Sequence, residues 1–258
     1  MKEFFGIGGY TREAEGYMSW QHLTFVTSLM IIMVALAIFF GLRYKGADAK
    51  TKNKVLIISA IAIDAFEIFK IIIESIDTPD FWQRSLPLFL CSIQLITIPL
   101  AAFTKGRLKE ASLDFVFIFG LLGAVLGTYA AGQNYASYPV LSFTNVVSGI
   151  THSISGFCAL YIVISGLAKT SMKKKNIWIT FSILGGFSVA ALIANLALDY
   201  NYMFLMRGDG TPYDLVYNMV NGNAVLYPIL VIALFLIYIV AFYGVYYLIT
   251  GRLAKKKA

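Results

Sequence analysis

The feature that most constrains this chain is a series of apolar runs, each long enough to cross a lipid bilayer. A helix needs about 20 mostly apolar residues to cross a hydrocarbon layer of about 30 Å. Scanning for such runs gives seven spans, at roughly 23 to 42, 54 to 75, 86 to 104, 112 to 131, 145 to 168, 177 to 198 and 224 to 249. Together they leave no room in 258 residues for a separate soluble domain.

The composition agrees with this interpretation. Hydrophobic residues make up 59% of the chain and charged residues 14%, whereas a soluble domain has about 45 to 50% and 25%. We therefore predict an all-α, polytopic membrane protein, built as a bundle of seven transmembrane helices in a cell membrane. Residues 1–22 are predicted to form an interfacial segment, residues 23–250 the transmembrane domain, and residues 251–258 a basic tail.

The distribution of basic residues predicts the orientation of the bundle. Of the 21 Lys and Arg residues, 16 follow spans 1, 3, 5 and 7, four lie in the opposite segments, and Lys70 lies inside span 2. Because such residues remain on the cytoplasmic side, the amino terminus is predicted outside and the carboxyl terminus inside. Anionic lipid beside the spans accounts for the net charge of +7, so we do not expect a nucleic-acid partner.

Span 2 contains ionisable residues that are unusual inside a membrane. Asp64, Glu67, Lys70 and Glu74 are spaced three, three and four residues apart, which places them along one face of a helix. An ionisable group in a span is costly and usually faces a partner or a cavity. Two interpretations remain open: an ion-pair ladder that fixes helix packing, and the lining of a functional cavity.

A cysteine and a histidine are the candidate reactive groups. Cys91 follows Pro87 in span 3, with Gln94 on nearly the same predicted helical face, and His152 lies one turn after Ser148 in span 5. Neither Cys91 nor the second cysteine, Cys158, belongs to a metal-ligand spacing. We predict neither a metal nor a cofactor.

The predicted depths of these residues in the bilayer are similar. At 1.5 Å per residue, Cys91 and His152 lie about 8 and 10 Å below the outer boundary, and Glu67 lies about 12 Å below it. Asn195 in span 6 lies one turn below its outer end. A thiol, an imidazole, a carboxylate and an amide from four spans are therefore able to meet in the outer half of the membrane.

Such a group of residues is suited to acyl transfer from a lipid. An imidazole takes the thiol proton, the thiolate attacks an ester carbonyl, and an acyl-thioester forms before transfer to water or another acceptor. Gln94 or Asn195 is a candidate oxyanion donor, and Glu67 is a candidate to orient His152.

Spans 6 and 7 are joined by about 24 residues rich in aromatic side chains, which is long for a connection. We interpret this segment as an outer lid, with an interfacial segment anchored by tyrosines as the alternative. Asn201 and Tyr202 are its candidate cavity-lining residues.

Several of these motifs together resemble a known family. They are Trp20-Gln21-His22-Leu23, the LPLFLCSI stretch around Cys91, the intramembrane His152, and the run from Asn201 to Leu205. The chain resembles the bacterial YwaF-like integral membrane proteins, which are similar to eukaryotic transmembrane protein 164. The resemblance implies a phospholipid acyltransferase in which Cys91 and His152 are catalytic, with a membrane phospholipid as partner and a bacterial plasma membrane as location.

The same residues are compatible with other functions. The leading prediction is a lipid acyltransferase or acyl hydrolase, and the alternative is a transporter that moves a proton or small solute past the charged residues of span 2 and His152. An accessory subunit without chemistry is a third interpretation. A retinal protein is excluded, because span 7 has no lysine for a Schiff base.

Overall fold

A computed structural model describes residues 2–167 and 172–255, with side chains up to Gly251. Within these residues the fold is entirely helical and contains no strand. The helices are α1 (Lys2–Phe5), α2 (Trp20–Arg43), α3 (Ala49–Glu74), α4 (Phe81–Arg84), α5 (Gln94–Phe103), α6 (Gly106–Tyr129), α7 (Gly132–Ser137), α8 (Phe143–Ile164), α9 (Ile177–Leu198), α10 (Tyr213–Met219) and α11 (Leu226–Lys255). Three basic residues used in the orientation argument, Lys169, Lys256 and Lys257, lie outside the described residues.

Five helical segments in the described part of the chain are long and apolar enough to cross a membrane. They are Trp20–Arg43, Gly106–Ser137, Phe143–Ile164, Lys174–Leu198 and Leu226–Gly251. The multi-pass helical architecture is therefore confirmed, but the count of seven is not. Helix α3 has 26 residues and carries charged groups along its length, and α5 has only 10 residues. The predicted orientation remains a prediction.

The prediction of a continuous helix in span 3 is wrong. Residues 85–93 form bends and turns, and the helix begins only at Gln94. Pro87 disfavours helical geometry at the residue before it. The Ser92 hydroxyl also offers the Phe89 backbone hydrogen bonds other than those of a helix. It accepts the Phe89 N–H at 3.0 Å and donates to the Phe89 carbonyl at 3.1 Å. Cys91 and Gln94 consequently do not share a helical face.

The chain forms two compact units, Met1–Ser171 and Met172–Ala258, which are described separately. In the first unit α8 packs against α2, α3 and α6, and α5 packs against α3 and α6. At one end His22 of α2 is hydrogen-bonded to the carbonyl of Thr128 in α6, and at the other Tyr161 of α8 donates to the carbonyl of Lys52 in α3. The end at which α2 and α8 begin is called the upper end below.

The short helix α5 ends inside the first unit, where its carbonyl groups need partners. Lys109 Nζ donates to the carbonyl of Ala101 at 2.6 Å, and Asn53 Nδ2 donates to that of Ala102 at 2.7 Å. Lys109 Nζ also donates to Asn53 Oδ1 at 2.6 Å. These bonds explain how a helix of about 15 Å ends within the fold without leaving these two carbonyl groups unpaired.

In the second unit, α9 and α11 are the long helices, and the chain between them is built from short elements. A 3₁₀ turn covers Tyr202–Phe204, and α10 follows it. Asp199, Met203 and Phe204 have positive φ angles of 49°, 55° and 55°. The connection that we interpreted as an outer lid is therefore a folded segment, and its role as a lid remains a prediction.

Candidate functional site

Cys91 and His152 both lie against one row of glycines on α6. A Cβ atom added at Gly123 would lie 3.5 Å from the Cβ of Cys91, whereas one added at Gly127 would overlap the His152 ring at Nε2 and Cδ2. Gly123 and Gly127 are four residues apart, about 6 Å along the helix. The structure thus places the predicted thiol and imidazole against neighbouring turns of α6, from different elements of the chain.

Cys91 lies in the turn that precedes α5. The turn is closed by the two hydrogen bonds of Ser92 and by the Ile93 N–H, which donates to the Phe89 carbonyl at 2.9 Å. The backbone N–H groups of Cys91 and Ser92 face the Cys91 sulfur. The side chain is half-buried, in contrast to Cys158, which is fully buried in the apolar core of the first unit.

The hydrogen bonding of His152 defines its tautomer. Its Nδ1 lies 2.9 Å from the carbonyl oxygen of Ser148, one turn earlier in α8. A carbonyl only accepts, so Nδ1 carries the proton and the neutral ring has a lone pair on Nε2. Among the described residues no hydrogen bond occupies Nε2 or joins it to the Cys91 thiol. Catalytic hydrogen bonds of this kind often tighten only when substrate is bound.

The other histidine has the opposite arrangement. His22 Nδ1 accepts the Met18 N–H at 3.2 Å, and its Nε2 lies 3.1 Å from the Thr128 carbonyl, so Nε2 carries the proton. The ring is fully buried, with its centroid 3.9 Å from that of Tyr135. Both nitrogens of His22 are used, which makes it a structural residue and leaves His152 as the histidine able to take a proton.

A charged pair from α3 completes the site. Lys70 Nζ lies 2.6 Å from Glu67 Oε1, and both side chains are largely buried. The charges of Lys70 and Glu67 act on both Cys91 and His152. The other two charged residues of α3 differ from this pair. Glu74 accepts a hydrogen bond from the Thr144 hydroxyl, and Asp64, ten residues before Glu74, is half-buried.

Gln94 and Ser148 support the site in different ways. Gln94 is fully buried at the start of α5, where its Oε1 accepts the Thr97 hydroxyl at 3.0 Å while its Nε2 has no hydrogen-bond partner among the described residues. Ser148 contributes its carbonyl to His152. Gln94 therefore retains a donor, and Ser148 acts through its backbone.

The three predicted residues of the second unit organise the segment after α9. The Asn195 side-chain amide donates to the Tyr202 carbonyl at 3.0 Å, and its oxygen accepts the Tyr202 N–H at 2.6 Å. Asn201 donates to Asp209 at 2.7 Å and to the Arg207 carbonyl at 2.8 Å. The oxygen and one of the two N–H groups of the Asn195 amide are therefore used by the Tyr202 backbone. The oxyanion role of Asn195 remains a prediction.

The sequence did not predict the position of Gly127 beside His152, nor the role of Ser92 in the turn before α5. The signal for Gly127 was a glycine spacing of three and four residues in span 4, next to a span that carries a histidine. Ser92 was hidden because an apolar run was interpreted as one helix. No cluster of three or more His, Cys, Asp or Glu suited to a metal ion occurs in residues 2–167 or 172–255.

The all-helical fold and its membrane-length apolar helices define a multi-pass membrane protein. The sequence pattern of the TMEM164 family matches residues 17–246, and the chain therefore belongs to the TMEM164 family. The predicted resemblance to transmembrane protein 164 is confirmed, whereas the narrower YwaF-like grouping remains a prediction. No curated protein and no solved structure matches the chain.

Proposed function

We propose that this protein is a membrane-embedded lipid acyltransferase or acyl hydrolase in which Cys91 is the nucleophile and His152 the base. One observation carries the proposal: Nε2 of His152 is free to take a proton and lies on the same glycine row of α6 as Cys91. A nucleophile beside a base of fixed tautomer is the arrangement that covalent catalysis requires. Membership of the TMEM164 family is consistent with it.

The reaction divides into two transfers. His152 Nε2 takes the thiol proton, and the thiolate attacks the ester carbonyl of a lipid. The tetrahedral intermediate collapses to an acyl-thioester on Cys91, and the departing lipid alcohol takes the proton back from the imidazolium. In the second transfer His152 removes a proton from water or from an acceptor hydroxyl, which attacks the thioester and regenerates the thiol.

Three donors are suited to stabilise the oxyanion that forms in each step. The backbone N–H groups of Cys91 and Ser92 face the sulfur, and Gln94 Nε2 is buried without a partner three residues after Cys91. Donors held in place before the reaction stabilise developing charge without reorganising. Gln94 is the proposed side-chain donor, and Glu67 and Lys70 set the local electrostatic field.

A membrane phospholipid is the proposed acyl donor, and a bacterial plasma membrane the proposed location. Cys91 lies against α6 in a multi-pass helical protein, so an ester in the surrounding lipid is the nearest source of acyl groups. No nucleic-acid partner is proposed. The predicted orientation would put the site in the outer half of the bilayer.

A transporter remains the alternative function. The bonding of the four charged residues of α3, Asp64, Glu67, Lys70 and Glu74, helps to distinguish it from the enzyme. Glu67 is paired with Lys70, and Glu74 is bonded to Thr144. A chain of paired groups is typical of a packing ladder, whereas a solute pathway needs groups that exchange partners. Asp64, half-buried in α3, is the observation that most favours the transporter.

The glycine row offers a matched pair of variants to test the enzyme proposal. Gly127→Ala would force the His152 ring from its position, whereas Gly123→Ala adds an ordinary van der Waals contact with Cys91. Acyl-lipid turnover, normalised to folded and membrane-inserted protein, should fall about 100-fold or more in Gly127→Ala, as in His152→Ala, because a general base contributes about 10²- to 10⁴-fold. Gly123→Ala should remain within about threefold of the parent. Equal activity in both glycine variants would contradict the role of His152.

A further inference from the structure

The segment before α2, residues 2–19, is folded over the upper end of the first unit and is here called the N-terminal segment. Phe5 lies 5.0 Å from Phe143 and 6.4 Å from Phe69 between ring centroids, so it packs where α3 and α8 meet. Phe4 also contacts Phe143, at 5.9 Å. These aromatic contacts hold the segment against the helices that carry Lys70 and His152.

Polar contacts fix the segment at several further points. The Gly8 N–H donates to Asp77 at 2.5 Å, and Glu15 accepts the Val140 N–H at 2.7 Å. Within the segment, Glu3 accepts the N–H groups of Thr11 and Arg12 at 3.1 and 3.0 Å. These bonds lower the pKa of the Glu3 carboxyl. The segment is thus a closed loop with defined attachments.

Polar groups of α3 and α8 form a row beneath the N-terminal segment, here called the polar row. At its top Thr144 donates to Glu74. Further along, α3 carries the Lys70 and Glu67 pair, and α8 carries Ser148, whose carbonyl is bonded to His152. Eight residues separate Thr144 from His152, which is about 12 Å of helix. The polar row therefore extends from the segment to His152.

Tyr10 lies between the polar row and a cavity. The cavity has a volume of about 320 Å³, and its lining includes Glu3, Arg12, Ser142 and Tyr10 itself. The Tyr10 hydroxyl is buried near the hydroxyls of Ser142 and Thr144 and the Glu74 carboxylate, without a hydrogen-bond partner among the described residues. Tyr10 thus lines the cavity on one side and lies near the top of the polar row on the other.

We propose that the cavity is the vestibule through which a hydrophilic co-substrate, water or a hydroxyl-bearing acceptor, reaches Cys91, and that the N-terminal segment is its gate, with Tyr10 as the gating residue. The lining suits such a molecule because it combines a guanidinium, a carboxylate and hydroxyls with the apolar wall of Phe4 and Leu141. The acyl donor does not need this route, since it enters from the lipid. The gate rests on the proposed function and adds a separate entrance for the acceptor.

The gate can be tested without measuring activity, by the rate at which a charged, membrane-impermeant methanethiosulfonate labels Cys91 in the full-length protein. Tyr10→Ala and Phe5→Ala should each raise this rate about tenfold, because each removes an aromatic contact that favours the closed state. Tyr10→Phe should label at the parent rate, since the bulk of the ring is kept. Tyr17→Ala is the matched control, because Tyr17 packs against Gly132 and His22 and not at the cavity or the polar row.

Labelling is counted only in molecules in which Cys158 remains unmodified, so unfolded protein does not contribute. Parent-like rates in both Tyr10→Ala and Phe5→Ala overturn the gate, and so does an equal increase in Tyr17→Ala. The readout compares variants that keep the same Cys91 thiol, so a change in rate reports access to Cys91 and does not require acyl transfer. Failure of the gate therefore leaves the proposed function standing, and loss of the proposed function would leave these rates unchanged.

Discussion

At the scale of single residues, the two histidines show how hydrogen bonding separates a structural side chain from a reactive one. His22 uses both ring nitrogens and is fully buried, whereas His152 uses only Nδ1. The sequence alone presents both as histidines in or beside a span. What distinguishes them is the acceptor for Nδ1 at Ser148, one helical turn away, and the space that Gly127 leaves for the ring.

The two cysteines should differ in the same way. Cys91 is half-buried in a turn and Cys158 is fully buried in the core, so a small membrane-permeant thiol reagent should modify Cys91 at least about tenfold faster. Mass spectrometry of protein labelled in membranes gives both rates in one sample. Equal rates, or faster modification of Cys158, would count against a nucleophilic role for Cys91.

At the scale of elements, the decisive feature is the short helix α5 and the turn before it. A continuous helix through residues 86–104 would place the Cys91 N–H in the helical ladder. The turn instead leaves the N–H groups of Cys91 and Ser92 facing the sulfur. The interruption that made the span prediction wrong is therefore what gives the cysteine its proposed oxyanion donors.

The Ser92 side chain is consequently expected to affect both the stability of the protein and its acyl-lipid turnover. Ser92→Ala removes two hydrogen bonds to Phe89, with an expected loss of about 1 to 3 kcal/mol in the free energy of unfolding. Normalised acyl-lipid turnover should fall about tenfold, because the nucleophile is no longer held in position. Ser153→Ala is the control, since that hydroxyl only bonds to the Gly149 carbonyl within α8. Similar turnover in the two variants would argue against the role of the turn.

At the scale of the whole molecule, the sequence predicts the class of fold better than its details. Apolar length and composition identify the long helices because a membrane span needs about 20 apolar residues whatever their order. The same criterion does not distinguish a helix from a turn, so it failed at residues 86–93, where Pro87 and Ser92 decide the conformation. That Cys91 meets His152 was predicted from depth and remains a prediction. The glycine row of α6, against which both residues lie, depends on helix neighbours that one sequence does not specify.

The orientation of the chain is a separate prediction at this scale. The alternating basic segments place the carboxyl terminus and the regions near Lys50, Lys105 and Lys174 in the cytoplasm, and Asn134 outside. Reporter fusions at these positions should be active on the corresponding sides of the membrane. An externally active reporter fused at the carboxyl terminus would contradict both the orientation and the seven-span prediction.

The most direct test of the acyl-transfer account is the mass of the Cys91 peptide after the purified protein is incubated with phospholipid. We expect a thioester-linked acyl group on Cys91 that is released by hydroxylamine. It should be strongly reduced in His152→Ala and in Gly127→Ala and retained in Gly123→Ala. Turnover in Cys91→Ala, His152→Ala and the double variant should fall to one shared residual level, because both residues serve the same step. Full normalised turnover in Cys91→Ala, with no acyl group on Cys91 in the parent protein, would contradict the covalent mechanism.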